Sequence, residues 1–139
     1  MIDTARRQLF DVARDALAKA FPDAWAIYVY GSYARGDQGP TSDLDLAVLL
    51  PPRASIPDKL GLTADLSRQV GRDVDIVSLR ETSLDLIHDL LRDGHSLLVR
   101  REDDVLGWEA ERMTDYADFN SRRAGILATY LDEPLRGTS

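Results

Sequence analysis

Gly31-Ser32-Tyr33-Ala34-Arg35-Gly36, followed after the polar segment Asp37–Ser42 by Asp43-Leu44-Asp45-Leu46, is the stretch on which the reading of this chain turns. Ahead of it, Trp25–Tyr30 is aromatic and β-branched and stops at Gly31, which predicts a strand. The strand feeds a Gly-Ser turn, and Ser32–Arg35 predicts a short helical turn whose free backbone N–H groups aim at an anion. Gly31 lets a phosphate approach the backbone closely, and the Ser32 hydroxyl can donate to another phosphate oxygen. Asp43–Leu50 alternates and then turns wholly apolar, as in a strand buried at its far end. Asp43 and Asp45 are two apart on that strand, so both carboxylates project from one face. Unpaired, they raise each other's pKa. A divalent cation that prefers oxygen ligands, such as Mg²⁺, removes that cost.

A third acid stands farther along. Val74–Leu79 predicts another strand, with Asp75 between Val74 and Ile76, whose side chains point to the opposite face. If this strand lies beside Asp43–Leu50, Asp75 joins the other two acids, with Asp73 a competitor for any role. Three acids, two metal ions and a phosphate-cradling turn make a site for in-line displacement at phosphorus. Arg35 has two readings, a contact to a triphosphate or an ion pair with a nearby acid. Gly31 and Gly36 have the glycine spacing of a P-loop, but Asp37-Gln38 stands where Lys-Ser/Thr is required. With no cysteine and two histidines, any metal must sit on carboxylates. His88 and His95 have no Ser or Cys elbow nearby and read as surface or capping groups.

The remaining elements frame this site. Residues 3–20 carry Leu9, Val12, Ala13 and Leu17 at helical spacing. Leu60, Leu62, Leu66 and Val70 predict a helix closing at Gly71. Thr82–Asp93 is read as a helix with Leu84, Ile87, Leu90 and Leu91 on one face and Gly94 past its end, and Ser96–Val99 as a fourth strand. From Asp103 to about Leu131 the pattern is helical, with Leu106, Met113 and Leu127 among the residues of one apolar stripe. Val105, Trp108, Tyr116, Phe119, Ile126 and Tyr130 widen it, and a frayed end, Arg136-Gly137-Thr138-Ser139, follows. A stripe that wide either lies flat on the domain or meets a partner. Its aromatic residues are read as packing groups rather than base-stacking ones.

Composition sets the outer limits. The 139 residues, 44% of them hydrophobic, suit one domain and not a disordered chain, and the expected helices and strands make it α/β (α+β). The net charge of −7 argues against direct nucleic acid binding. It is uneven: 12 basic residues face 15 acidic ones in residues 1–100, and 5 face 9 in residues 101–139. The expected organisation is a core over residues 1–100 and a separate element over 101–139. Leu46–Pro52, the longest apolar run, is too short to span a bilayer, and residues 1–20 are not signal-like. No membrane association and a cytoplasmic location are expected.

Gly31-Ser32-Tyr33-Ala34-Arg35-Gly36 with Ser42-Asp43-Leu44-Asp45-Leu46 resembles the minimal nucleotidyltransferases of the DNA polymerase β-like superfamily. The resemblance covers Ala24–Arg100, and Val74-Asp75-Ile76-Val77 falls where that family has its third acid. It implies the nucleotidyltransferase fold, a small mixed sheet of about four strands flanked by helices, with a C-terminal helical tail. Gly31 and Ser32 would then hold the triphosphate, with Arg35 a further candidate for it. Asp43 and Asp45 would hold the metal ions, and Asp75 would take the third acidic role. The acidic tail and Val74–Arg101 are similar to the MntA-like antitoxin branch of HEPN/MNT toxin–antitoxin systems, with the toxin encoded by the adjacent gene. That branch implies Mg²⁺-dependent transfer of AMP from ATP to a tyrosine of a HEPN-domain toxin RNase, in a type VII-like, heteromeric pair. The length beyond the core leaves little for gripping a small acceptor, which favours a protein partner that brings its own hydroxyl. Two other functions stay open: an aminoglycoside-type small-molecule nucleotidyltransferase, and an antitoxin that acts by binding alone.

Overall fold

In the computed structural model, which describes residues 2–138 and, in the last helix, side chains up to residue 128, ten segments follow one another. They are α1 (Thr4–Ala20), β1 (Ala26–Tyr30), α2 (Gly31–Arg35), β2 (Leu44–Leu49), α3 (Lys59–Val70), β3 (Val74–Ser78), a 3₁₀ turn (Leu79–Glu81), α4 (Leu84–Asp93), β4 (His95–Val99) and α5 (Glu102–Thr138). Local chemistry sets the ends. The carboxylates of Asp3 and Asp58 and the hydroxyl of Ser83 accept the N–H groups of Arg6, Gly61 and Leu86, which caps α1, α3 and α4. Gly71 ends α3 in the left-handed region, at φ 75°. Gly94 ends α4 for a different reason. Its backbone is extended, and a Cβ there would lie 2.9 Å from the Val29 carbonyl oxygen, so glycine allows β4 to start tight against β1.

The sheet order is β3-β2-β1-β4. β1 runs antiparallel to β2 and β4, while β2 and β3 are parallel, joined by a crossover through α3. Alternation along the strands divides the core in two. Ile27, Val29, Leu46, Val48 and Ile76 pack with Phe10, Ala13 and Leu17 of α1 and Leu66 of α3. Ala26, Tyr28, Ala47 and Leu49 pack on the other face with Ile87 and Leu90 of α4 and Val105 and Trp108 of α5. This is the mixed four-stranded sheet with flanking helices that the motif implied.

Several expectations need correction. Leu60 is exposed, because it lies two positions from Leu62 and hence on the far side of the helix from the Leu62–Leu66–Val70 line. Asp43 precedes the first residue of β2 instead of lying within it. In α5 the apolar stripe does neither one thing nor the other along its whole length. Val105 and Trp108 are buried, whereas Leu106, Met113, Phe119, Ile126 and Leu127 are exposed, so Phe119 is not a core packing group. The helix also continues past the expected end near Leu131 to Thr138. The side chain of Tyr130 and the whole of Ser139 lie outside the described residues. Among the described residues, no helix is long and apolar enough to cross a membrane.

Candidate active site

β1 delivers the chain to Gly31 at φ 72°, and the five residues of α2 follow directly. A Cβ at residue 31 would overlap Asp45 Oδ2, so the left-handed conformation and the crowding both call for glycine. The close approach anticipated for a phosphate is thus, within the chain itself, an approach of the Asp45 carboxylate. Ser32 is half-buried beside it, at the start of the helical turn. The αL residue Gly36 closes the turn, its N–H and that of Asp37 both donating to the Ser32 carbonyl at 2.8 and 3.1 Å.

The condition placed on Asp75 is met. β3 lies beside β2, and the register pairs Asp45 directly with Asp75. Asp45 is half-buried; Asp43 and Asp75 are exposed. Burial, then the charges of Asp75 and Asp43, push the Asp45 carboxyl up to about 6, while Arg35 pulls it the other way. Both neighbouring acids therefore act on Asp45. Asp73 lies outside β3, and its carbonyl receives the Leu44 N–H at 2.9 Å, so its backbone fastens the two strands at this end. Arg35 pairs with Asp37, Nε to Oδ2 at 3.1 Å, the second of its two readings, and still makes itself felt at Asp45.

Alternation was not used to find Tyr30, although its register partner is Asp45. Its hydroxyl is pushed well above the usual phenol range by burial and then by the charges of Asp45 and Asp75, which makes it a wall of the same site. The histidines behave as capping and surface groups. His95 Nε2 meets the Ala34 carbonyl oxygen at 2.9 Å, and His88 stacks on Tyr116 with ring centroids 4.0 Å apart.

The donor set is one of carboxylate oxygens, with mutual repulsion at Asp45 that a cation relieves. Among the described residues, no group of three or more His, Asp or Glu side chains could hold a metal ion. Mg²⁺ commonly takes only one or two carboxylates and leaves its other positions to water and substrate phosphates.

Comparison with known proteins identifies the family. The family model for polymerase β nucleotidyltransferases matches residues 15–103. The chain belongs to that family. This nucleotidyltransferase is similar to the protein adenylyltransferase MntA of Shewanella oneidensis, with 30% identity over 106 residues, or 76% of each chain. A chain in the crystal structure of a toxin–antitoxin complex with AMP-PNP matches it with a TM-score of 0.76 at 27% identity, over 88% of this chain and 98% of that one. A chain in the complex of a tri-AMPylated Shewanella oneidensis HEPN toxin with its MNT antitoxin matches with a TM-score of 0.72, covering 91% of this chain and 98% of that one. At 24% identity, that last likeness speaks to the fold.

Proposed function

We propose that this nucleotidyltransferase is an antitoxin that transfers AMP from ATP to a tyrosine hydroxyl of a HEPN-type toxin RNase and so silences it. The observation that carries the reading is the register of Asp45 with Asp75, set against the Gly31–Arg35 turn. The name of the Shewanella relative and the AMP-PNP complex of the 27%-identical one support the donor and the partner class.

The roles follow from the parts. The backbone at Gly31 and the Ser32 hydroxyl hold the triphosphate, and Arg35 adds a cation once it exchanges Asp37 for phosphate. Asp43, Asp45 and Asp75 would hold two Mg²⁺ ions, which neutralise the triphosphate. Asp75, being exposed, is accessible to an incoming hydroxyl and accepts its proton as general base. The tyrosine oxygen bonds to the α-phosphorus as the bond to the β-phosphate oxygen breaks, and pyrophosphate leaves in line.

The docking surface is the exposed part of the 101–139 element. By alternation Asp45 and Asp75 share a sheet face with Ala47, Leu49 and Val77, the face on which the start of α5 packs. A partner held by Leu106, Met113 and Phe119 would therefore be presented on the side where the acids project. The acidic excess of residues 101–139 suits a partner with a basic face.

The test is labelling of the partner from α-labelled ATP with Mg²⁺. Asp43→Asn with Asp45→Asn is expected to abolish labelling while leaving the circular dichroism spectrum unchanged. Retained labelling in that double variant would overturn the site.

A further inference from the structure

A five-residue helix cannot hold itself in place, because nucleation costs more than one turn of hydrogen bonds returns. What fixes α2 is therefore found outside it. Its last carbonyls are taken by side chains from remote parts of the chain. Arg6 Nη1 of α1 donates to the Tyr33 carbonyl oxygen at 2.8 Å. His95 Nε2 of β4 meets the Ala34 carbonyl oxygen at 2.9 Å, which puts the ring proton on Nε2. Both donors sit at the carbonyl end of the turn, where the Arg6 guanidinium complements the peptide dipoles.

Each donor is itself held. The Arg6 side chain is only 11% exposed, and its Nε lies 3.3 Å from Oδ2 of Asp3, the residue that caps α1. Gly36 leaves room for it, since a Cβ at that position would come within 3.1 to 3.3 Å of the guanidinium. His95 is placed by its pairing with Val29, which the tight passage at Gly94 allows. A third tie joins Tyr33, buried, to the entry of β3: Arg72 Nη1 donates to the Tyr33 hydroxyl and its guanidinium covers the ring at 5.2 Å. The turn that faces the nucleotide is thus braced from behind by α1, β4 and the approach to β3.

We infer that Arg6 and His95 form a clamp that positions the Gly31–Arg35 turn for the nucleotide triphosphate, without touching the nucleotide themselves. The inference rests on the nucleotidyltransferase reading of the site and adds two positioning residues to it. If the turn binds phosphate through its leading backbone groups, loss of the clamp weakens ATP binding and raises KM. It leaves kcat nearly untouched, because the acids on β2 and β3 are unmoved.

The experiment compares Arg6→Ala, Arg6→Lys, His95→Ala and His95→Gln with the wild type and with His88→Ala, a control on the α4–α5 contact. ATP affinity is measured by calorimetry with Mg²⁺. Amide hydrogen exchange of residues 31–36 is followed in the nucleotide-free protein. The Ala variants are expected to weaken ATP binding about tenfold and to speed exchange in the turn. His95→Gln, which keeps an N–H donor, recovers most of both, and His88→Ala changes neither. Wild-type affinity and exchange in both Ala variants, or a Gln variant as impaired as the Ala one, would overturn the clamp. The underlying reading fails separately: wild-type protein that binds ATP through a clamped turn but transfers no adenylate refutes the acceptor reaction and leaves the clamp standing. Wild-type protein that binds no ATP refutes both.

Discussion

Asp45 concentrates the conflict within the site. It is the half-buried member of three neighbouring acids, and its carboxyl is raised from 3.8 to about 6. A raised acid pKa in the fold means that the charged form is the one the fold disfavours. The contribution of this group is fully present below about 3.8 and is lost as pH rises through about 6. Asp45→Asn is accordingly expected to stabilise the metal-free protein at pH 7.5 by about 1 kcal/mol, once solvent screening is allowed for. The gain should vanish by pH 4. Thermal melts in EDTA across that range check it, and a gain independent of pH would remove the like-charge explanation. Asp45 was legible on its strand because alternation is local information, whereas Asp43 stands just ahead of β2 and acts on Asp45 from outside it. The pairing with Asp75 was legible only as a condition, since one strand's periodicity does not say which strand lies next to it. Arg6 and His95 were not legible as a brace. They reach carbonyls 27 and 61 positions away, and no local pattern encodes such contacts.

Among the elements, α5 departs most from its reading. A single apolar stripe in the sequence resolves into two functions in space. Val105 and Trp108 close the second core, and Tyr28 donates to Glu109 at 2.7 Å to tie the helix to the sheet. Tyr116 stacks on His88 with the rings 13° apart, which carries the contact along α4. Farther along, among the described side chains, Phe119, Ile126 and Leu127 are exposed. The hydrophobic pattern alone could not separate these parts, because it records which residues avoid water and not how far the neighbouring surface extends. Met113 and Phe119, 59% and 42% exposed, are the residues to change. Met113→Asp with Phe119→Asp is expected to shift stability by no more than about 0.5 kcal/mol per site. The same pair should weaken association with the proposed HEPN-type partner at least about a hundredfold. Trp108→Ala provides the contrast, with an expected cost of about 3–5 kcal/mol from the cavity it leaves. Melting curves and co-elution with the partner separate the two effects. Full complex formation by the double Asp variant would remove α5 from the interface.

Across the whole molecule, one face of one sheet carries both halves of the account. Asp45, Asp75 and Tyr30 share the sheet face that α4 and α5 cover, so the acids lie on the same side as the exposed helix that would hold an acceptor. The opposite face, packed on α1 and α3, supplies the rigid base from which Arg6 and His95 reach the Gly31–Arg35 turn. The division of labour follows from the order β3-β2-β1-β4, which sets Asp45 on central β2 beside Asp75 on the edge strand β3, while α2 follows directly after β1. The central claim is that this face transfers adenylate to a protein hydroxyl. The most direct measurement is the intact mass of the HEPN-type partner after incubation with this protein, ATP and Mg²⁺. The account predicts a mass gain in whole adenylate units, mapped by fragmentation to tyrosine and absent with Asp43→Asn/Asp45→Asn. An unchanged partner mass within a stable complex would contradict it and leave inhibition by binding alone.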